Sequence, residues 1–146
     1  REWSQGTAAD NRQVALSLAR EIARALAPGT VELVLGNRTE PVRSRTFDMI
    51  LSNPPYVAQD AQELEALRHE PLSALAAGTD GLDAIRVLAT ECRDILSEGG
   101  LLLVEHGADQ EDAVTTLFEA AGWTDICCHN DLAGLPRVTA ARRGGK

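Results

Sequence analysis

The stretch Phe47 to Tyr56, FDMILSNPPY, decides how this 146-residue chain is read. Phe47, Met49, Ile50 and Leu51 make a short, nearly continuous apolar run, the pattern of a strand covered on both faces in a parallel sheet. Asn53-Pro54-Pro55 then stops it. Proline has no backbone N–H and a fixed φ, and Pro54 also pushes Asn53 out of the helical region. The carbonyls of this turn are therefore left to accept hydrogen bonds from something outside regular structure. Ligands of open α/β sheets sit in the crevice beyond the carboxyl ends of the strands, where such a turn is expected to lie.

Outward from that strand, apolar strands alternate with helical periodicity, the pattern of a doubly wound α/β domain. Gly6 to Ala9 is a weak strand candidate ending at Asp10. A helix over about Arg12 to Ala27 follows, in which Val14, Leu18, Ile22 and Leu26 recur every fourth position, with Pro28-Gly29 ending it. Val31 to Gly36 reads as a strand, Arg38 to Thr46 as a polar loop, and Phe47 to Asn53 as the motif strand. Leu82, Ile85, Leu88, Ala89, Cys92, Ile95 and Leu96 mark one face of a second helix, closed by Gly99-Gly100. Leu101 to Glu105 is a buried strand, and Gln110 to Ala121 a helix with Val114, Leu117, Phe118 and Ala121 inward. Trp123 to His129 and Arg137 to Arg142 form a final hairpin around Asp131 to Pro136.

Asn and Pro are ordinary turn residues, so NPPY could be only a strand-ending turn. The aromatic after it and the apolar strand before it point to function. Asn53 offers an acceptor and a donor, the Pro54 carbonyl is a second acceptor, and Tyr56 supplies a flat ring. Such a set can clamp a planar NH2 group. Two acceptors on its two N–H bonds orient the nitrogen and make it a better nucleophile, while Pro55 keeps the turn rigid and the ring packs on its plane.

The tetrapeptide resembles the (Asn/Asp/Ser)-Pro-Pro-(Tyr/Phe) motif of S-adenosylmethionine-dependent amino methyltransferases. Further blocks narrow the resemblance: Glu70-Pro71, Ala74-Leu75, Gly78, Asp80-Gly81 and Arg86 in EPLSALAAGTDGLDAIR, then Glu105, Gly107 and Gln110 in LLLVEHGADQ, then Asp131, Gly134 and Arg137 in DLAGLPRVTAARR. In this order they look like the HemK-type N5-glutamine methyltransferases, which modify the Gln of the Gly-Gly-Gln tip of peptide-chain release factors. The resemblance implies a Rossmann-like class I methyltransferase sheet ending in an antiparallel hairpin. It implies that Asn53 and Pro54 hold the glutamine amide, that Tyr56 walls the pocket near the sulfonium, and that Asp10, Asn37 and Asn53 contact S-adenosylmethionine.

On the cofactor side the match is partial. The family's first strand ends in a glycine-rich loop of the type DxGTGSG, where only glycine lets the backbone come close to the cofactor. This sequence holds no such segment, and Gly6-Thr7 is a fragment of one. Asp10 stands where an acidic residue would bind the ribose hydroxyls, and starting a helix is an equal account of it. Asn37 stands near the adenine position, and a turn residue is an equal account there. The absent strand would be the central one, between the Asp10 strand and the NPPY strand. The expectation is thus a single but incomplete catalytic domain over 1–146, beginning at Arg1 without a Met, with open sheet edges that another chain could fill as a dimer. Two other readings stand beside methyl transfer to glutamine: a noncatalytic remnant with a protein-binding role, and methylation of an amino group on a flipped nucleic-acid base.

Composition bounds the rest. A net charge of −8 argues against a phosphate-binding surface. No apolar run reaches the ~18 residues of a membrane helix and no signal peptide is evident, so a cytoplasmic location with no membrane partner is expected. Cys92, Cys127 and Cys128 suit buried thiols rather than a disulfide framework or a metal site. His106 beside Glu105 could be a general base, though a late-departing amide proton needs none. Glu105 could position substrate or start the next helix. His69 and His129 read as surface residues, and Arg142-Arg143 with Lys146 as a solvated basic end.

Overall fold

The computed structural model describes residues 5–56 and 78–145, which divide into two compact units, one through Ser44 and one from Arg45. The first is a βαβ unit: β1 (Gly6–Asp10), α1 (Gln13–Leu26) and β2 (Val31–Leu35). The strands pair in parallel, from Gly6 opposite Val31 to Asp10 opposite Leu35. β1 is built of small residues, and α1 meets the unit through Leu16, which is buried, with Ala19 and Ala23 half-buried at helical spacing. The stripe that recurs every fourth position lies on the exposed side. Val14 and Leu26 are 83% and 81% exposed, and Leu18 and Ile22 are exposed too. The periodicity was that of a real apolar face, but a two-stranded sheet is too narrow to cover it. The expected polar loop after β2 also gains structure, a 3-10 turn at Glu40–Val42 with Thr39 and Val42 buried.

The second unit contains β3 (Phe47–Ser52), α2 (Asp83–Ile95), β4 (Leu96–Glu105), α3 (Glu111–Ala120), β5 (Trp123–Asn130) and β6 (Pro136–Arg143). Its strand order is β3-β4-β6-β5. β3 and β4 run parallel, and β6 pairs antiparallel with both β4 and β5. This is the expected terminal hairpin. Ile85, Leu88, Ala89 and Cys92 of α2 join Val114 and Phe118 of α3, and together they pack on Leu102, Val104 and Ala141 of the sheet. Trp123 closes the end of this core, donating its indole N–H to the Ala89 carbonyl at 2.9 Å and standing 5.8 Å from the Phe118 ring.

Two expectations change here. Both helices lie on the sheet face that carries Ile50, so alternation sends Leu51 the other way, 72% exposed. β3 is thus covered on one face, not two. The helix expected to run to Gly99-Gly100 ends at Ile95, where Leu96 is already extended, and β4 begins there. The extra residues are absorbed by a register shift between Phe47 and Met49. Among the described residues the strands form two sheets and not one, in keeping with the expected lack of a central strand. No described helix is long and apolar enough to cross a membrane.

Candidate functional site

β3 delivers NPPY to its carboxyl end. Ser52 is the last paired residue, opposite Val104, and the next four leave the sheet. Pro54 is buried, Pro55 and Tyr56 are half-buried, and Asn53 is exposed. The buried, N–H-free proline roots the turn while the amide side chain faces outward, the disposition a clamp requires. The Tyr56 hydroxyl donates to Glu105 Oε1 at a long 3.4 Å, across the ends of β3 and β4.

The other end of the turn is tied by a residue the sequence reading quoted without a role. Gln110 donates its side-chain N–H groups to the Tyr56 carbonyl at 3.1 Å and to the Asp80 carbonyl at 3.2 Å, and its Oε1 accepts from the Gly107 N–H at 2.8 Å. Gly81 lies against the same two groups. Its φ is +75°, and a Cβ there would run into the Tyr56 carbonyl oxygen and come 2.6 Å from Gln110 Nε2. Asp80, just before it, accepts from the Leu82 N–H at 3.1 Å and pairs with Arg86, which also reaches Asp83 Oδ1 at 2.9 Å. The Arg86 hydrogen bond foremost, then the Leu82 N–H, hold the Asp80 carboxyl down at about 2. The Asp-Gly…Arg spacing thus builds a rigid turn ahead of α2, under the exit of NPPY.

Glu105 and His106 end β4. Glu105 bonds Tyr56, and the cap position of the next helix is held by Gln110. His106 is fully buried. Its Nδ1 lies 2.8 Å from the Gly107 carbonyl, which can only accept, so Nδ1 carries the proton and Nε2 accepts from the Thr139 hydroxyl at 2.8 Å. Both nitrogens are thus engaged inside the core, where His106 joins the end of β4 to β6. Asp131 accepts the N–H groups of Ala133 and Leu135 at 2.9 and 3.1 Å and pairs with Arg137 at 3.2 Å, so the third sequence block shapes the β5–β6 loop. The Leu135 N–H and then Arg137 lower the Asp131 carboxyl.

In the first unit, Asp10 and Asn37 follow the carboxyl ends of the adjacent strands β1 and β2. Asp10 Oδ1 accepts the Arg12 N–H at 2.7 Å and the Arg12 side chain at 3.3 Å, fixing the turn into α1, although Arg12 and not Asp10 stands at the cap position. Asn37 is exposed, and its carbonyl accepts the Glu40 N–H at 3.1 Å. Glu70, Pro71, Ala74, Leu75 and His69 lie outside the described residues. Cys92 is buried, but Cys127 is exposed and Cys128 only partly covered, because adjacent residues of β5 face opposite sides. His129 is exposed as expected, with Nε2 3.4 Å from Cys127 Sγ.

Residues 2–77 match the model of the methyltransferase small domain. The chain belongs to that family. It is 42% identical over 137 residues to the release factor glutamine methyltransferase of Coxiella burnetii, covering 94% of this chain and 50% of that protein. It is 42% identical over 142 residues to the protein of the same name from Caulobacter vibrioides, covering 94% and 49%. The HemK-type resemblance read from NPPY and the downstream blocks is borne out, and the chain spans about half the length of the curated relatives it matches. A Pyrococcus furiosus methyltransferase structure shares the fold at a TM-score of 0.71 with 17% identity, over 97% of this chain and 64% of that one. The protein-(glutamine-N5) methyltransferase of Alicyclobacillus acidocaldarius does so at 0.54 with 23% identity, over 98% and 82%.

Proposed function

We propose that this chain carries the acceptor side of a methyltransferase that moves a methyl group from S-adenosylmethionine to the side-chain amide nitrogen of a protein glutamine, the Gly-Gly-Gln glutamine of a release factor. The observation that carries this reading is the NPPY turn itself: Asn53 exposed, Pro54 buried, and the turn fastened behind Tyr56. Asn53 Oδ1 and the Pro54 carbonyl accept the two amide hydrogens, Pro55 keeps their spacing, and the Tyr56 ring packs on the amide plane. Holding the nitrogen on line supplies most of the rate, and the displaced proton leaves late to solvent.

S-adenosylmethionine supplies, when bound, an electrophilic methyl on a sulfonium. Asp10 and Asn37 suit its nucleoside end: both bonds that Asp10 accepts from Arg12 use Oδ1, which supports Oδ2 as the acceptor for the ribose hydroxyls, and Asn37 is exposed, which supports a contact with the adenine edge. For the methionine end the sequence offers no glycine-rich loop. That lack favours a second reading, a domain that binds the glutamine substrate without transferring to it. Calorimetry with S-adenosylhomocysteine separates the two, since only the competent domain binds it. A release-factor substrate supports a cytoplasmic location, and no described helix is long and apolar enough to cross a membrane.

The test of transfer is incubation of the chain with methyl-labelled S-adenosylmethionine and a release factor, with peptide mapping of the label. The reading expects label on the Gly-Gly-Gln glutamine and about a hundredfold less with Asn53→Ala, the scale of a lost positioning contact. Label no higher than in that variant contradicts transfer by this chain.

A further inference from the structure

Gln110 is the cap-position residue of α3, and its side-chain amide has one acceptor and two donors, all used. The acceptor holds the Gly107 N–H; the donors hold two carbonyls from distant segments, Tyr56 and Asp80. The Asp80 carbonyl is itself fixed, because the Asp80 carboxylate is bound by Leu82 and Arg86, and Gly81 has no side chain to keep the segments apart. No other residue type serves at this place. Glutamate has no donors, lysine has no acceptor, and asparagine is one carbon shorter. The target of the first donor is the last residue of NPPY, three residues from Asn53.

We propose that Gln110 is a positioning residue for the acceptor amide: by fastening the Tyr56 carbonyl to the Asp80–Gly81 turn and to the start of α3, it holds Asn53 and the Pro54 carbonyl at the spacing of the two amide hydrogens. This rests on the function proposed above. It adds a role to a residue that touches neither substrate nor donor, and it explains why the Asp80-Gly81, Gly107 and Gln110 blocks accompany NPPY in one chain. They are the parts of one clasp.

Tyr56 is the only tyrosine in the chain, so fluorotyrosine labelling gives a single 19F resonance that reports on the turn without any turnover. Gln110→Glu is the discriminating variant. It keeps an oxygen for the Gly107 N–H and hence the start of α3, but sets a carboxylate against two carbonyls and donates to neither. The expected result is an unchanged far-UV helix signal, a displaced or broadened Tyr56 resonance, and binding of a Gly-Gly-Gln peptide weakened about tenfold, as for the loss of a hydrogen-bonded support. Gln110→Ala, which also leaves the Gly107 N–H without its acceptor, should show the same displacement with a lower melting temperature. A Gln110→Glu chain with the native resonance and native peptide affinity overturns the proposal, and so does one that loses its helix signal, since Gln110 would then serve α3 alone. If the unaltered chain itself fails to bind the peptide, the proposed function falls, while the resonance still decides whether Gln110 sets the turn.

Discussion

At the scale of single residues, the site divides into what proline dictates locally and what only folding reveals. NPPY was legible because Pro54 and Pro55 act on their own neighbours: they end the strand and free its last carbonyls whatever surrounds them. Gln110 was visible as a letter in a block but not as a clasp, since its partners lie 54 and 30 residues away in sequence. His106 shows the same limit: a histidine at a strand end looks available until Thr139, 33 residues on, is found against it. Gly81 gives a direct test. Gly81→Ala combines a left-handed backbone with a collision at the Tyr56 carbonyl, and should cost at least about 1–2 kcal/mol in urea melts; an unchanged midpoint contradicts the packing described. Asp80 gives a second. Its carboxyl falls from 3.8 to about 2 on folding, so its contribution is whole above 3.8 and is lost as pH falls through that window toward 2. Asp80→Asn should therefore flatten the acid limb of stability between those values while leaving neutral-pH trends alone, and an unaltered acid limb would exclude the pairing with Arg86 as its source.

At the scale of elements, boundaries and types were largely legible, while faces were legible only where a full layer exists. α2 and α3 bury the residues their spacing indicated, because four strands lie beneath them. α1 shows equally good periodicity and leaves that face exposed, because a sheet of two short strands is too narrow to cover it. Hydrophobic period reports that a face exists, not what covers it. The cysteines follow the same logic. Cys92, on the covered face of α2, has its thiol pushed up to about 12, by burial first and by the neighbouring Glu91 charge second, whereas Cys127 lies on the open side of β5. Alkylation at pH 8 should modify Cys127 within minutes and leave Cys92 untouched until the chain is denatured. Equal rates at the two would mean that α2 does not pack as described. The same raised thiol keeps its contribution to stability below 9 and loses it as pH rises from there toward 12.

At the scale of the whole molecule, the described residues present two sheets, an open edge on β3, and exposed apolar side chains at Val14, Leu18, Ile22, Leu26 and Leu51. Isolated in solution, a chain of this kind should self-associate through those surfaces. Sedimentation velocity across the micromolar range should show the weight-average mass rising with concentration, and Leu18→Lys with Leu51→Lys should suppress the rise; a monomer at every concentration counts against it. The acceptor turn does not depend on that outcome, because every group that fastens it lies in the second unit. The most direct measurement of the central claim is therefore a binding comparison that needs no methyl donor: titration of the chain with a Gly-Gly-Gln peptide and with its Gly-Gly-Glu counterpart. If Asn53 and the Pro54 carbonyl are acceptors for two amide hydrogens, the glutamine peptide binds at least about a hundredfold more tightly, because a carboxylate would set oxygen against oxygen, and Asn53→Ala erases most of the difference. Equal affinity for the two peptides, or a preference that survives Asn53→Ala, contradicts it.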